Sequence, residues 1–200
     1  MVFVLALCPT LSAEDTAAQT FSIQEAHLTL PLPNDWIKMP ERALDRFRRN
    51  ADSIAPSVKS NYVAGFAGPR PPANSPLTLL IVQVLPRDLT PQIFLSSLLA
   101  IQQSLATATP DWKPEQSAPY IDSEIRAVVI PGRTPQGTSG RSYTIPTSQG
   151  VIVLDLYCPT EASARIFPTV ESCLRKISFS DGVELNRKWL DDFRSASKTK

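Results

Sequence analysis

The first half of the chain alternates between strand-like and helix-like spacing of its apolar residues. Apolar and polar positions alternate in the second part of Phe21–Leu32, and turn-forming residues follow at 33–35, which predicts one or two strands and a turn. Because Pro31 has no N–H to donate, we expect this strand to lie at a sheet edge or to end there. Behind Pro40, apolar residues recur at helical spacing, which predicts a helix over residues 40–54.

The middle of the chain contains two more strand patterns and the clearest helix. Tyr62–Ala67 is a strand candidate, and Leu77–Leu85 is apolar at nearly every position, as in a strand that is covered on both faces. Thr90 then supplies a helix N-cap, and Pro91 is a favourable first helical residue. The apolar residues behind them predict a helix over residues 91–105.

In the second half of the chain, glycines separate strand-like segments. Tyr120–Ile130, Ser139–Pro146 and Val151–Cys158 predict a three-stranded antiparallel meander. Helical spacing returns over Ser163–Lys176, and Leu185–Phe193 predicts a final short amphipathic helix. The order of strands and helices, with hairpins dominating this half, predicts an α+β fold in which an antiparallel sheet packs against helices.

The first residues follow a different pattern. Val2–Leu11 is apolar and is followed by small and then acidic residues, as in a secretory signal and its cleavage site, and it is too short to span a membrane. No Lys or Arg precedes the apolar run, which favours a start codon further upstream. A buried first strand is the alternative, but Pro9 and the Ala, Ser and Thr residues up to Ala18 argue against it. We predict an export segment over residues 1–18, a single domain over 20–180 and a short helix with a frayed tail over 181–200, in a periplasmic or secreted protein.

Composition and charge narrow the classes of partner. Of the 200 residues, 20 are basic and 19 are acidic, so the formal charge of +1 creates no field that would attract nucleic acid or anionic lipid. The 19 prolines are about twice the usual share and cluster in Gly68–Pro76 and Thr107–Pro119, which indicates loops. We therefore expect no nucleic-acid partner and no transmembrane segment.

Two cysteines lie outside the export segment. An oxidising compartment could join Cys158 to Cys173. However, Cys158 ends a predicted strand and Cys173 lies near the end of the next helix, so a rise of about 1.5 Å per residue would separate them beyond the roughly 7 Å limit between bonded Cα atoms. Two buried free thiols are the favoured interpretation, although a break of the helix at Pro168 would make a bridge possible.

The layout of the chain resembles a known family. Residues 30–36 (Leu-Pro-Leu-Pro-Asn-Asp-Trp) lead into a helix, strands and a long helix, and the closing strand and helix end in Ile-Ser-Phe at 177–179. Over roughly residues 21–180 this order is similar to that of the Mog/PsbP-like α/β/α sandwich proteins, which include exported bacterial members of unknown function. The resemblance implies a twisted, mostly antiparallel sheet flanked by helices, and binding or accessory roles such as photosystem association, small-GTPase binding or envelope functions. It implies no catalytic residues.

The sequence lacks the motifs of common catalytic sites. Hydrolases of the Ser-His-Asp or Cys-His type need an imidazole base, and the chain has one histidine, His27, in a strand-like run where a structural role is the simpler interpretation. It contains neither a histidine pair nor a Cys-x-x-Cys zinc motif, and no glycine-rich phosphate loop. We expect no cofactor and no enzymatic activity.

Three carboxylates are candidate metal ligands or acid–base groups. Asp122 and Glu124, two apart on a predicted strand, would point the same way and could hold a divalent cation, although a solvated strand face explains them equally well. Asp155 interrupts the apolar run Val151–Tyr157. Burial there would require a partner such as a nearby Arg or Tyr and could raise its pKa, whereas an edge or partly wet face is the favoured interpretation.

Two surfaces are candidate contact sites. The helix predicted over 91–105 has an apolar arc wider than one core face needs, with a central stripe of Phe94, Leu98, Ile101 and Leu105. Either proline-rich loops cover this stripe, or it binds a partner helix, a peptide or a second copy. The helix over 40–54 carries a basic patch of Arg46, Arg48 and Arg49, which either meets an acidic partner or lipid headgroups or is simply a polar face.

These features favour a non-enzymatic binding or accessory protein of the cell envelope. Its expected partner is another protein or peptide, and a homodimer is a further option. The alternative is a metal-dependent binder or enzyme that uses Asp122, Glu124 and Asp155.

Overall fold

The structure is a computed structural model that describes residues 18–54, 61–69, 75–108, 118–133, 137–180 and 182–197. Its helices are α1 (Glu41–Ile54), α2 (Pro91–Ala108), α3 (Ser163–Leu174) and α4 (Arg187–Ser197). Its strands are β1 (Ala18–Ile23), β2 (Leu28–Pro33), β3 (Ile37–Lys38), β4 (Tyr62–Ala67), β5 (Leu79–Leu85), β6 (Tyr120–Asp122), β7 (Ala127–Arg133), β8 (Thr138–Thr147), β9 (Gly150–Pro159) and β10 (Ser178–Phe179).

The strands form two antiparallel sheets. The main sheet has seven strands in the order β3-β4-β5-β9-β8-β7-β6, and the smaller sheet has three in the order β1-β2-β10. Every pair of neighbouring strands runs antiparallel. The predicted α+β fold with a mostly antiparallel sheet flanked by helices is confirmed.

The two faces of the main sheet are covered differently. We call the face that packs against the small sheet and α3 the inner face; it holds the larger core cluster, which includes Phe66, Leu154 and the α3 residue Phe167. The opposite, outer face carries α1, α2 and α4. On this face α1 approaches Gly65, where an added Cβ atom would lie 3.3 Å from a methyl group of Leu44 on α1 and 2.8 Å from the sulfur of Met39, so a larger residue would require these side chains to shift.

A second core cluster joins α2 and α4 to the outer face. Trp189 and Phe193 of α4 stack with ring centroids 5.8 Å apart, and Phe94 of α2 packs edge-on against Trp189 at 5.6 Å. The indole Nε1 of Trp189 donates a hydrogen bond to the carbonyl of Leu89 at 2.8 Å. α4, which lies beyond the predicted end of the domain at residue 180, contributes Trp189, Leu190 and Phe193 to this cluster.

Two local predictions need correction. Tyr120–Ile130 is not one strand but the hairpin of β6 and β7, so this region contributes four strands rather than three. The turn forms because the Asp122 carboxylate accepts hydrogen bonds from the backbone N–H groups of Glu124 and Ile125, both at 2.9 Å. Arg126 then adopts a left-handed conformation with φ of 61° before β7 begins.

Pro31 also lies in a different place from the one expected. Its strand, β2, is the central strand of the small sheet rather than an edge strand. The ring is tolerated because β10 pairs with β2 only at Leu28 and Thr29, whereas Pro31 has a partner on one side alone, Thr20 of β1.

Other local predictions are confirmed. The hydroxyl of Thr90 accepts a hydrogen bond from the N–H of Ile93 at 3.3 Å, as expected of the N-cap of α2. Cys158 and Cys173 are both buried and unpaired. Burial raises the pKa of the Cys158 thiol to about 11, which makes this thiol a poor nucleophile.

Candidate functional site

The structure does not combine the three candidate carboxylates into one site. Glu124 lies in the β6–β7 turn rather than on a strand with Asp122, and its carboxylate pairs with Arg175 at 2.6 Å. Asp122 caps the same turn. Asp155 belongs to β9, which β8 and β7 separate from β6, so it is about 14 Å from β6 across the sheet. Among the described side chains, no group of three or more His, Cys, Asp or Glu residues could hold a metal ion.

The three arginines of the predicted basic patch on α1 differ in their contacts. Arg48 forms ion pairs with Glu41 at 2.7 Å and Asp45 at 2.6 Å, and its guanidinium donates to the carbonyl of Tyr62. These bonds tie α1 to β4, so Arg48 is structural. Arg46 and Arg49 are exposed and remain on the surface of the helix.

The predicted apolar stripe of α2 is covered in part by α4, at Phe94. Phe94 packs against Trp189 and Phe193, so α4 covers part of the stripe here, whereas most of the proline-rich segment 107–119 lies outside the described residues. Leu98 is partly buried, and the side chains of Ile101 and Leu105 lie outside the described residues. Phe94 is partly buried and packs against the second core cluster, while a contact role for the stripe stays a prediction.

His27 occupies a turn and not a strand. It follows the 3-10 turn Gln24–Ala26, is exposed and adopts a left-handed conformation with φ of 49°. Its Nδ1 lies 3.4 Å from the hydroxyl of Ser180, whose backbone N–H donates to the His27 carbonyl at 3.0 Å. These contacts link the turn to the end of β10, which is a structural role.

A polar cluster under α3 contains a fully compensated carboxylate. Glu171 of α3 pairs with Arg141 of β8 and accepts a hydrogen bond from the hydroxyl of Tyr143 at 2.9 Å. The Arg141 guanidinium also lies over the ring of Phe167, 4.3 Å from its centroid. Burial lowers the pKa of Arg141, but the hydrogen bond and charge of Glu171 outweigh it and raise the pKa overall. The cluster fixes α3 to the inner face of the main sheet.

A second polar network lies on the outer face, around Asp155. Its Oδ2 accepts a hydrogen bond from Nε2 of Gln83 on β5 at 2.6 Å, and its Oδ1 accepts one from the hydroxyl of Ser142 on β8 at 2.7 Å. Burial raises the pKa of Asp155, while the two hydrogen bonds act in the opposite direction. Asp155 lies on the central strand of the main sheet and not at an edge, and the partners of this half-buried carboxyl are neutral amide and hydroxyl groups rather than the Arg or Tyr expected for a buried Asp155.

An uncharged row of side chains crosses the outer face next to this network. Cross-strand pairing aligns the residues of this apolar row one after another across six strands. They are Ile37, Ala67, Leu79, Tyr157, Gly140 and Gly132. Ile37 is 65% exposed and Tyr157 is 37% exposed, and Leu77, beside Leu79, is 59% exposed. With strands about 4.8 Å apart, the row is about 24 Å long and follows the twist of the sheet.

The ring of Tyr157 joins the apolar row to the Asp155 network. Tyr157 lies two residues after Asp155 on the same face of β9, and a Cβ atom on Gly140 would lie 3.2 Å from its ring. Burial first, and then the nearby Asp155 charge, raise the pKa of Tyr157. The candidate site is therefore an aromatic and apolar surface beside a half-buried carboxyl.

Sequence reasoning found Asp155 but missed the row. The row depends on which strands are neighbours, and Ile37 is 120 positions from Tyr157 in the chain. A local signal existed in Trp36 and Ile37, since successive residues of an extended segment point to opposite faces of a sheet. Trp36 is 2% exposed, and Ile37 points to the other face.

A cavity of about 390 Å³ lies at the other end of the main sheet, near the β8–β9 turn. It is lined by Arg87, Arg187 and Glu184 together with uncharged residues of the turn. Since both signs of charge are present, the cavity has no clear preference for one class of ligand. None of the candidate site residues predicted from the sequence lines this cavity.

Comparisons with known proteins bear on the fold. No family model and no curated protein sequence matches the chain. It is similar to the solution structure of the cyanobacterial PsbP (CyanoP) from Synechocystis sp. PCC 6803, with a TM-score of 0.50 and 10% identity, covering 88% of this chain and 98% of that one. It is also similar to the crystal structure of LpqN, involved in cell envelope biogenesis of Mycobacterium tuberculosis, with a TM-score of 0.37, 16% identity, and coverage of 76% and 82%.

The similarity to CyanoP, at 10% identity, bears on the fold alone. In the described ranges, no helix combines the length and apolar character needed to cross a membrane. The order of the strands, the helices on the sheet and the similarity to CyanoP together identify a PsbP-like α+β fold.

Proposed function

We propose that this chain is an exported, non-catalytic accessory protein of the cell envelope that binds another protein through the apolar row. The observation that carries the proposal is the exposure of large apolar side chains at this end of the outer face. Among the described residues six large hydrophobic side chains are exposed, and three of them, Ile37, Leu77 and Tyr157, lie here. Such clustering is typical of interaction surfaces, whereas scattered exposure is not.

The character of the row indicates its kind of partner. No residue of the row is charged, so its desolvation on binding costs little. Tyrosine, whose aromatic ring carries a polar hydroxyl, is enriched at protein interfaces, and Tyr157 is such a residue in the row. We therefore propose an apolar segment of a partner protein as the occupant.

Export and the envelope location rest on the pattern at Val2–Leu11, which lies outside the described residues. The alternative of a metal-dependent site at Asp122, Glu124 and Asp155 has less support, because the strand order separates Asp155 from the other two.

Affinity capture from the envelope fraction of the source organism tests the proposal. The wild-type protein is compared with the double variant Ile37→Ser/Leu77→Ser and with Ile93→Ser, which changes an isoleucine of α2 that is 53% exposed. We expect a partner that the wild type and Ile93→Ser retain and the double variant loses. A set of proteins that all three retain equally would contradict the proposal.

Sedimentation velocity tests the other occupant. We expect a monomer for the wild type. A dimer that dissociates in the double variant but persists in Ile93→Ser would assign the row to a second copy of the chain and overturn the proposal of a different partner.

A further inference from the structure

The carboxyl of Asp155, on the outer face beside the apolar row, is held by hydrogen bonds from neutral groups alone among the described residues. Its two hydrogen-bond donors, Gln83 and Ser142, are both neutral. Throughout the part of the chain that the structure describes, no Lys, Arg or His lies within ion-pair distance of Asp155. A partly buried carboxylate without a cation is costly, since neutral hydrogen bonds replace only part of its hydration.

The two donors orient the carboxyl but leave room for another. An ionised carboxylate has about four acceptor sites on its two oxygens, and the structure fills one on each oxygen. Gln83 and Ser142 hold it from the two strands that flank β9, so its position is fixed before any ligand arrives. The carboxyl is thus ready to accept a further hydrogen bond at little cost in ordering.

The surroundings of Asp155 separate a covered side from an open one. Val153, on the same face of β9, belongs to the core cluster under α2 and α4 and is 7% exposed. Tyr157, on the other side, is 37% exposed and lies in the apolar row. Asp155 therefore lies at the boundary between the helix-covered part of the outer face and the apolar row, and a group seated on the row would reach it over the ring of Tyr157.

We infer that Asp155 binds a cationic group of the partner, an ammonium or guanidinium on an apolar stem, as in a lysine or arginine side chain flanked by apolar residues. The inference rests on the proposed function, because it places this group in the segment that occupies the apolar row. The stem lies along the apolar row, and its charged end donates to the free acceptor sites of Asp155. The ring of Tyr157 adds a cation–π contact. Asp155 then gains the compensating charge that its own fold does not supply.

Two small probes separate this inference from the proposed function. Benzylamine and benzyl alcohol have nearly the same shape, but only the first is cationic. Both are titrated into the full chain at mildly alkaline pH, with binding followed by the backbone amide signals of Gln83 and Tyr157. We expect both to bind weakly to the row and benzylamine to bind about fivefold more tightly, the effect of one charge-assisted hydrogen bond.

The variant Asp155→Asn keeps the size of the side chain and removes its charge; its amide oxygen can accept from Gln83, and its amide nitrogen can donate to the hydroxyl of Ser142, which is able to accept as well as donate. This variant should bind the two probes equally, whereas Asp88→Asn, which changes an exposed aspartate in the turn after β5, should keep the preference for the amine.

Four results would overturn one claim or both. Equal binding of the two probes to the wild type would overturn the role of Asp155 and leave the row intact. A preference for the amine that persists in Asp155→Asn would also overturn it. Loss of the preference in Asp88→Asn would show that it depends only on overall charge. Binding of neither probe would contradict both the inference and the proposed function.

Discussion

Two carboxylates on opposite faces of the main sheet show how differently one fold treats similar groups. Alternation along β8 turns Arg141 and Tyr143 to the inner face, where both bind Glu171, and turns Ser142 to the outer face, where it binds Asp155. Glu171 therefore has a cation and a neutral donor, whereas Asp155 has neutral donors alone.

The difference separates a group that holds the fold together from one that is ready to bind. Glu171 is compensated within the molecule, so its removal leaves two partners unsatisfied and weakens packing of α3. Asp155 is not compensated, so its charge contributes little to stability and is free to contribute to binding. Stability measurements on variants of the two clusters test this contrast.

The largest effect is expected for Glu171→Ala. The substitution leaves the Arg141 charge and the Tyr143 hydroxyl without their acceptor, and we expect the free energy of unfolding to fall by about 2–3 kcal/mol. Urea denaturation measures it. Glu161→Ala, at an exposed glutamate in the turn before α3, is the control and should change the free energy by less than about 0.5 kcal/mol. A loss for Glu171→Ala no larger than that of the control would contradict the structural role of Glu171.

A smaller effect is expected for Tyr143→Phe. The ring is fully buried and keeps its packing, while the hydrogen bond to Glu171 is lost. Because Arg141 still compensates Glu171, we expect a loss of about 1 kcal/mol in the free energy of unfolding by urea denaturation. A loss as large as that of Glu171→Ala would mean that the hydroxyl, and not the ion pair, fixes α3.

For Asp155→Asn we expect little or no loss at neutral pH and a change in the pH dependence of stability. The pKa of Asp155 is raised from 3.8, so between that value and the higher folded value the folded state keeps a proton that the unfolded state releases. The stability contributed by this carboxyl therefore falls as the pH rises through that window and is level above it. Thermal melting over a pH series should show this fall in the wild type but not in the variant. A variant that loses stability relative to the wild type as the pH rises would refute the assigned sign.

The smallest effect is expected at Leu77, beside the apolar row. Leu77 is 59% exposed, so Leu77→Ser should change the free energy of unfolding by less than about 0.5 kcal/mol in urea denaturation. Leu80→Ser, at a fully buried position on the inner face of β5, is the matched comparison and should cost several kcal/mol. Equal losses for the two would show that Leu77 is part of the core.

Local patterns were sufficient to predict most elements of the fold. Thr90 and Pro91 mark the start of α2 because capping depends on neighbouring residues, and the short apolar run Val151–Cys158, which follows a glycine, indicates a strand for the same reason. The β6–β7 turn was missed because its signal is the side chain of Asp122 accepting backbone hydrogen bonds, with no glycine or proline between the strands.

The candidate site was predictable only in part. The sequence showed that Asp155 interrupts an apolar strand and needs a partner, but Gln83 is 72 positions away, and only the pairing of β5 with β9 brings it close. The apolar row depends in the same way on strand order and on which part of the face the helices leave uncovered. Neither is encoded in the spacing of residues within one element.

The most direct test of cation recognition by Asp155 is the pKa of this residue, measured from its carboxyl carbon signal by NMR with and without benzylamine. We predict that the pKa of Asp155 is above the usual aspartate range in the free protein, because burial is not offset by a cation. It should fall when the amine binds. A pKa within or below the usual range in the free protein, or one that the amine leaves unchanged, would contradict the claim that Asp155 is an uncompensated carboxyl that recognises a cation.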